Sequence, residues 1–327
     1  MASLLERLGV ELPIVQAGMG GGIARHELAA AVSEAGGLGT LGILPPEQLA
    51  SQLEAARRLT DRPIAVNLLL PFTRRGHRRV AADADAVVTF WGAPSRPCAG
   101  VWIHQCGSVA EALAAHVAGA DGVIAQGVEA GGHVRGEVPA AELLERTRAA
   151  LPDHFPVLSA GGIASADDVA GALDAGAAAA VLGTRFLLSE ESRAHPAYKR
   201  RLVEGDSTAL TELFGLGWPA APHRVAPNAA TRRWTGGDPR GPGWLRFANR
   251  ALSPLASRAP ARVQQLTSRL QLSGRPLFSP QPPTDDGPEE LVEAGALYAG
   301  ETVARISDLR DAGSIVAELS AGRQAAR

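Results

Sequence analysis

Gln126, Glu129 and His133 fall within the eight residues QGVEAGGH, interleaved with Gly127, Gly131 and Gly132. An imidazole titrates near neutrality and can take or give a proton. Glycines let a loop pass close to a ligand without Cβ clashes. His133 is therefore the candidate acid–base residue, expected above the mouth of whatever scaffold carries the loop. Glu129 reads as structural, holding the loop or a backbone N–H. His104, in the run VWIHQ, is the second candidate.

A further set of residues shares one trait, since each follows a short β-rich run. Gln16, Gly18 and Met19 follow the first run, Asn67 ends the third and Gln105 the fifth. Gln126 ends the sixth, Ala160, Gly161 and Gly162 close the seventh, and Gly183 and Thr184 follow the eighth. Amides and bare backbone suit a planar heterocycle with donors and acceptors around its edge. Glycine pairs let backbone N–H groups close around a phosphate. In SAGGIASADD, Ser165 with Asp168 three residues on is an N-cap signature, which would aim a helix N-terminus at that phosphate. A phosphorylated cofactor with a flat ring follows, with flavin mononucleotide (FMN) as the economical choice.

The elements that must position these residues alternate in type. Eight apolar runs, 13–17, 38–42, 63–68, 86–91, 101–105, 122–127, 156–160 and 179–183, read as strands. Stretches 25–35, 46–59, 74–83, 108–118, 139–150 and 166–175 carry helical spacing between them. Eight βα units predict a TIM (β/α)8 barrel, whose active site is built at the C-terminal strand ends. The crossover GAPSRPCAG between the fourth and fifth strands is too short for an ordinary helix. Residues 213–289 turn rich in proline and glycine and read as an inserted, mainly helical subdomain. That leaves 1–212 and 290–327 for the barrel, with helices in 301–320 returning to close it. Ten arginines and one acid, Asp238, lie between Arg224 and Arg275, which predicts a locally positive surface.

Bulk properties exclude several functions. The 327 residues are 46% hydrophobic with net charge −2, so nothing global favours nucleic acid, and no apolar run is long enough to span a membrane. Lys199 is the only lysine, which argues against Schiff-base and pyridoxal-phosphate chemistry. Converging metal ligands and paired catalytic acids are missing from the strand ends. GMGGGIAR fails the dinucleotide pattern, because the third glycine position falls on Ile23 or Arg25. Cys98 and Cys106 have no metal spacing, and the N-terminus has no signal-peptide pattern, so a reducing cytoplasm is expected. The partner is then a small molecule, and self-association into a homo-oligomer is left open.

Several stretches together resemble the nitronate monooxygenase family, formerly the 2-nitropropane dioxygenases. They are PIVQAGMGGGIARHELAAAVSEAGGLGTLG, AVNLLLPF, TFWGAP, AQGVEAGGHVRG, LSAGGIASADDVAGALDAGAAAAVLGTRFL and AGETVARI. The resemblance implies an FMN-dependent barrel, with the flavin held by Ala17, Gly18, Met19, Asn67, Gln126, Gly131, Gly161, Gly162, Gly183 and Thr184. It makes His133 catalytic. The implied reaction is oxidation of an anionic alkyl nitronate by O2 to a carbonyl compound and nitrite. Three departures are that Gly18 stands where proline is common, that the fourth helix is nearly absent, and that Glu301 stands where glutamine is common. The same EAGGH loop is similar to that of enoyl-acyl-carrier-protein reductase II, which implies the alternative of NAD(P)H-dependent reduction of a thioester. A barrel that binds flavin without turnover is the remaining alternative.

Overall fold

The computed structural model describes residues 3–256, 268, 270–276 and 278–324. The chain forms two compact units. One comprises residues up to Ala130, then Arg135–Ser192 and from Asp308 onward; the other comprises Gly131–Val134 and Arg193–Ser307.

In the first unit all eight expected runs form strands. They are β1 (Ile14–Gln16), β2 (Gly39–Leu41), β3 (Ile64–Leu69), β4 (Ala86–Phe90), β5 (Val101–Cys106) and β6 (Gly122–Gln126), then β8 (Val157–Ala160) and β9 (Ala180–Leu182). The intervening β7 (Gly132–His133) belongs to the other unit. The eight run parallel in the order β1-β9-β8-β6-β5-β4-β3-β2. The two edges meet where the Gln16 N–H donates to the Leu38 carbonyl and the Leu38 N–H to the Ile14 carbonyl, both at 2.9 Å. A TIM barrel results. Past that closure the backbones of β1 and β2 diverge, and the Gln16 side chain bridges them by accepting the Thr40 N–H at 2.9 Å.

Strand alternation sorts the barrel residues into two sets. Val15, Leu38, Ala65, Val88, Ile103, Ile124, Leu158 and Val181 fill the interior. Their neighbours face the helices. Ile64, Val66 and Leu68 pack with Leu49 and Leu53, while Trp102, Cys106 and Val123 pack with Ala112, Leu143 and Leu144. Ile14, Ala180 and Leu182 pack with Leu28, Val169, Ile315 and Val316. All six expected helices are present, as His26–Glu34, Pro46–Leu59, Arg75–Ala82, Val109–Val117, Ala140–Ala150 and Ala166–Asp174. No helix joins β4 to β5. The turn begins at Trp91, which is forced to φ +63°, and Arg96 braces it by donating to the Gly100 carbonyl and Asp121.

An unanticipated helix, Leu4–Leu8, carries Leu4 into the barrel-interior cluster. Of the returning segment, Ala312–Gln324 is a helix of the barrel unit, whereas Glu301–Arg305 is a 3-10 turn in the other.

The second unit contains the Pro/Gly-rich segment 213–289 and extends beyond it on both sides. Besides the helices Pro196–Val203, Ala229–Trp234 and Gly243–Ala256 it holds an antiparallel sheet that periodicity did not reveal. Its order is β10 (Ala209–Thr211), β11 (His223–Val225) and β7. These strands are two or three residues long and lie outside the βα rhythm that marks the equally short β1, β2 and β9. Four of the ten arginines pair with acids of the same unit: Arg224, Arg232, Arg240 and Arg246 face Glu301, Glu293, Glu212 and Asp238. Arg258, Arg262 and Arg269 lie outside the described residues.

Candidate functional site

Within the barrel unit, the residues singled out at the strand ends fall on one parity. Stepping two residues along each strand from the interior positions Val15, Ala65, Ile103, Ile124, Leu158 and Val181 gives Ala17, Asn67, Gln105, Gln126, Ala160 and Gly183. All six therefore crown the interior at its C-terminal end, where parallel barrels carry their chemistry.

Close packing explains their types. A Cβ on Gly18 would stand 2.2 Å from the Asn67 Cβ, so no larger residue, proline included, could occupy this backbone beside this asparagine without a shift. The Asn67 amide lies 3.4 Å from the Val88 carbonyl. The Gln126 Oε1 accepts the Arg135 N–H at 3.3 Å, which orients its amide. Met19 packs at the edge of the helix-facing cluster around Ile14 and Leu182. Gly161 and Gly162 take φ +113° and +71°, left-handed values that expose backbone at the end of β8. Gly183 caps the one-turn helix Thr184–Leu187, and Thr184 is buried.

The helix expected at Ser165 is present with its capping box. The Ala164 and Ser165 N–H groups both donate to the Asp168 carboxylate, at 2.8 and 3.0 Å, and Asp168 N–H donates to the Ser165 hydroxyl. Those donors are committed inside the capping box. The N–H groups of Ala166 and Asp167, at the first two positions of the helix, lie outside that box.

His104 is displaced from the role held open for it. It has the opposite parity to Gln105 and is buried with its Nδ1 2.8 Å from the Thr89 hydroxyl, which also accepts the Trp102 indole N–H at 2.7 Å. Burial pulls its pKa down to about 4, with Glu111 opposing the shift weakly. It is a neutral core histidine beneath the helices. Glu129 does hold a backbone N–H, accepting that of Ala140 at the start of the helix Ala140–Ala150.

In the second unit, His133 lies on β7, directly opposite His223 on β11. A Cβ on Gly131 would fall 2.5 Å from the Gly300 nitrogen, and Gly132 takes φ +76°, so both glycines are required for this approach. The His133 ring stacks on Trp218 with centroids 3.7 Å apart and planes 20° apart. The rings of His223 and Tyr298 stand 5.2 and 5.5 Å away. Burial, and secondarily His223, hold the His133 pKa well below 6.5, so the imidazole is neutral at pH 7. His223 is held near 4 by burial; its Nδ1 faces the Ala221 carbonyl at 2.9 Å and its Nε2 accepts the Phe214 N–H at 3.3 Å. Sequence reading missed Trp218, His223 and Tyr298, because only cross-strand pairing brings them to His133.

Arg135, two residues beyond His133, was missed as well. Its guanidinium lies 4.9 Å from the Trp91 ring centroid and donates to Glu111, which also accepts the Gly107 N–H. It ties the returning end of the loop to the ends of β4, β5 and β6. Among the described residues no cluster of His, Cys, Asp or Glu could hold a metal, and no helix is long and apolar enough to cross a membrane.

Comparison with known proteins supplies what the geometry leaves general. A family model described as nitronate monooxygenase matches residues 2–91 and 97–235. A hydroxy-methyl-oxo-octahydroindene-carboxyl-CoA dehydrogenase of Mycobacterium tuberculosis is 35% identical over 237 residues, 68% of this chain. The chain spans 65% of that relative's length. A nitronate monooxygenase of Pseudomonas aeruginosa is 33% identical over 262 residues, 63% of this chain and 74% of that protein. Among solved structures, FabK from Thermotoga maritima superposes with a TM-score of 0.77 at 27% identity, covering 100% of this chain and 97% of the other. The nitroalkane oxidase of Streptomyces ansochromogenes gives 0.74 at 29% identity, with both chains covered completely. With its fold, its glycine-lined strand ends and a matched family model over most of its length, the chain belongs to the nitronate monooxygenase family.

Proposed function

We propose that this chain is an FMN-dependent oxidoreductase that converts alkyl nitronates and O2 to carbonyl compounds and nitrite. The observation that carries this reading is the crown of Ala17, Asn67, Gln105, Gln126, Ala160 and Gly183, six neutral small or amide residues on one face. A flat heterocycle with alternating donors and acceptors fits it, and carboxylate or lysine chemistry does not. The close approach of Gly18 to Asn67 and the left-handed Gly161–Gly162 turn provide a surface of bare backbone that fits a ring edge and a phosphate. Ala17, Gly18, Met19, Asn67, Gln105, Gln126 and Gly131 would hold the ring side, and Ala160, Gly161, Gly162, Gly183 and Thr184 the phosphate side. When bound, the flavin supplies the electron-accepting and O2-reacting chemistry.

The protein's own share is binding, orientation and proton handling. His133, neutral at pH 7, would orient the nitronate anion by donating a ring N–H to it, while stacking on Trp218 fixes its ring plane. The amides orient the flat ring by accepting and donating at its edge.

The second reading is reduction of an enoyl thioester by NAD(P)H, favoured by the carboxyl-CoA dehydrogenase relative. There His133 would need to act as a proton donor, for which a ring held neutral is less suited. Anaerobic rapid mixing of the flavin-loaded protein with ethyl nitronate and, separately, with NADPH tests the proposal. Spectral change of the flavin with nitronate alone is expected. Fast bleaching by NADPH, with none by nitronate, would move the assignment to the thioester reductase.

A further inference from the structure

Helix Gly243–Ala256 of the second unit turns Leu245, Asn249 and Ser253 inward, and Leu245 packs with Leu213, Phe214 and Phe278. Its opposite face, carrying Trp244, Phe247, Arg250, Ala251 and Pro254 at helical spacing, is exposed. Trp244 is 57% exposed and Phe247 73%. A helix on a protein surface ordinarily presents polar side chains on this side. Two aromatic rings held there, on a patch that grows further, mark an interaction surface.

The patch extends to a second part of the chain. The Trp244 ring stands edge-on to Trp234 with centroids 6.0 Å apart, and the Trp234 indole N–H donates to the Ser273 carbonyl at 2.8 Å. That bond ties in the tight turn in which Leu272 pairs with Arg275. Leu272, and Leu270 two residues before it, are 49% and 69% exposed. The charges around these apolar groups have one sign. Arg233 lies over the Trp234 ring at 5.6 Å, Arg250 shares the outward helix face and Arg275 closes the turn. All three are exposed, and among the described residues no acid pairs with them. Asp238, the one acid between Arg224 and Arg275, is taken by Arg246 at 3.2 Å.

An apolar centre with a cationic rim narrows the choice of occupant. A second copy of the same face would set arginine against arginine. An acidic polypeptide would answer the charges and leave the tryptophan, phenylalanine and leucines without a counterpart. An anionic lipid surface answers both, because its headgroups attract the arginines while aromatic and leucine side chains enter the boundary beneath them.

We propose that the outward face of helix Gly243–Ala256, together with the Leu272–Arg275 turn, docks the protein peripherally on a bilayer rich in anionic lipid. Such docking requires no membrane-crossing helix, and among the described residues there is none. The proposal is independent of the nitronate reading.

The test sediments the full chain with sucrose-loaded vesicles of phosphatidylcholine, either alone or with about one-quarter phosphatidylglycerol. The chain should pellet with the anionic vesicles, stay in solution with the neutral ones, and be released by high salt. Phe247→Ser should weaken the partitioning about tenfold, the contribution of a phenyl ring that leaves water. Arg250→Gln should weaken it about fivefold. Both side chains are exposed, so the urea midpoint and the turnover of ethyl nitronate should stay as in the parent, which separates a lost contact from a lost fold. Bromine-labelled lipids should quench tryptophan emission in the parent and much less in Trp244→Phe. Failure to pellet with anionic vesicles, equal pelleting with neutral ones, or binding that Phe247→Ser and Arg250→Gln both leave unchanged overturns the proposal. A dimer that Phe247→Ser dissolves, or capture of polyglutamate in place of vesicles, would assign the face to a second copy or to an acidic chain and overturn it as well.

Discussion

At the scale of residues, two histidines that look equivalent in the sequence separate by environment. His133 stacks on Trp218 beside His223 and Tyr298 in the second unit, whereas His104 is buried beneath the barrel helices against Thr89. His133→Ala should lower turnover by about 10²–10⁴-fold, the usual contribution of a positioned acid–base group. Initial rates with ethyl nitronate check this, and an unchanged kcat would remove the assignment. His104 affects stability. Its imidazole binds a proton in the unfolded chain at 6.5 but in the folded chain only near 4. Protons therefore favour unfolding between those values, and stability falls as the pH drops through that window, by on the order of 3 kcal/mol in full. Replacement by glutamine, which still offers Thr89 a hydrogen-bonding partner, should flatten this part of the curve. Urea midpoints at pH 7 and pH 5 measure it. Some slope will survive, because burial also lowers His77 and His223; equal slopes in variant and parent would acquit His104.

At the scale of elements, the loop that begins at Gln126 has both ends secured within the barrel unit. Glu129 secures the near end by accepting the first N–H of the helix Ala140–Ala150, and Arg135 secures the far end through Gln126, Glu111 and Trp91. Glu129→Ala should cost about 0.5–2 kcal/mol, as loss of a helix-capping acceptor does. If the loop's geometry matters for catalysis, kcat should fall by more than this loss of folded protein explains. Comparing urea-derived stability with kcat for the folded fraction separates the two, and a variant with lowered stability but normal kcat would make Glu129 a cap and nothing more. The eight strands and six helices were legible because apolar runs bounded by glycine alternate with helically spaced stretches, so that even the three-residue strands β1, β2 and β9 are marked by their place in the rhythm. The sheet of β7, β10 and β11 was not. A two-residue strand has no period, and its pairing with a segment about 90 residues away leaves no local mark.

At the scale of the whole molecule, ligand binding and folding are linked. If the barrel's strand ends hold FMN, flavin present at 100 times its dissociation constant should stabilise the folded chain by about 2.7 kcal/mol. Stripping the flavin should lower the denaturation midpoint, and adding FMN back should restore it; a midpoint indifferent to FMN would argue against this site. Alternation along eight strands was enough to place Asn67, Gln105 and Gln126 on one interior face, because a strand's two-residue repeat is a local property and the barrel only repeats it. The amino-acid sequence thus determined the barrel, the residues crowning it and the family resemblance. Whether His104 faces inward and which rings surround His133 were decided by tertiary structure. Each depends on a partner brought up by strand pairing, and that pairing leaves no pattern in neighbouring residues.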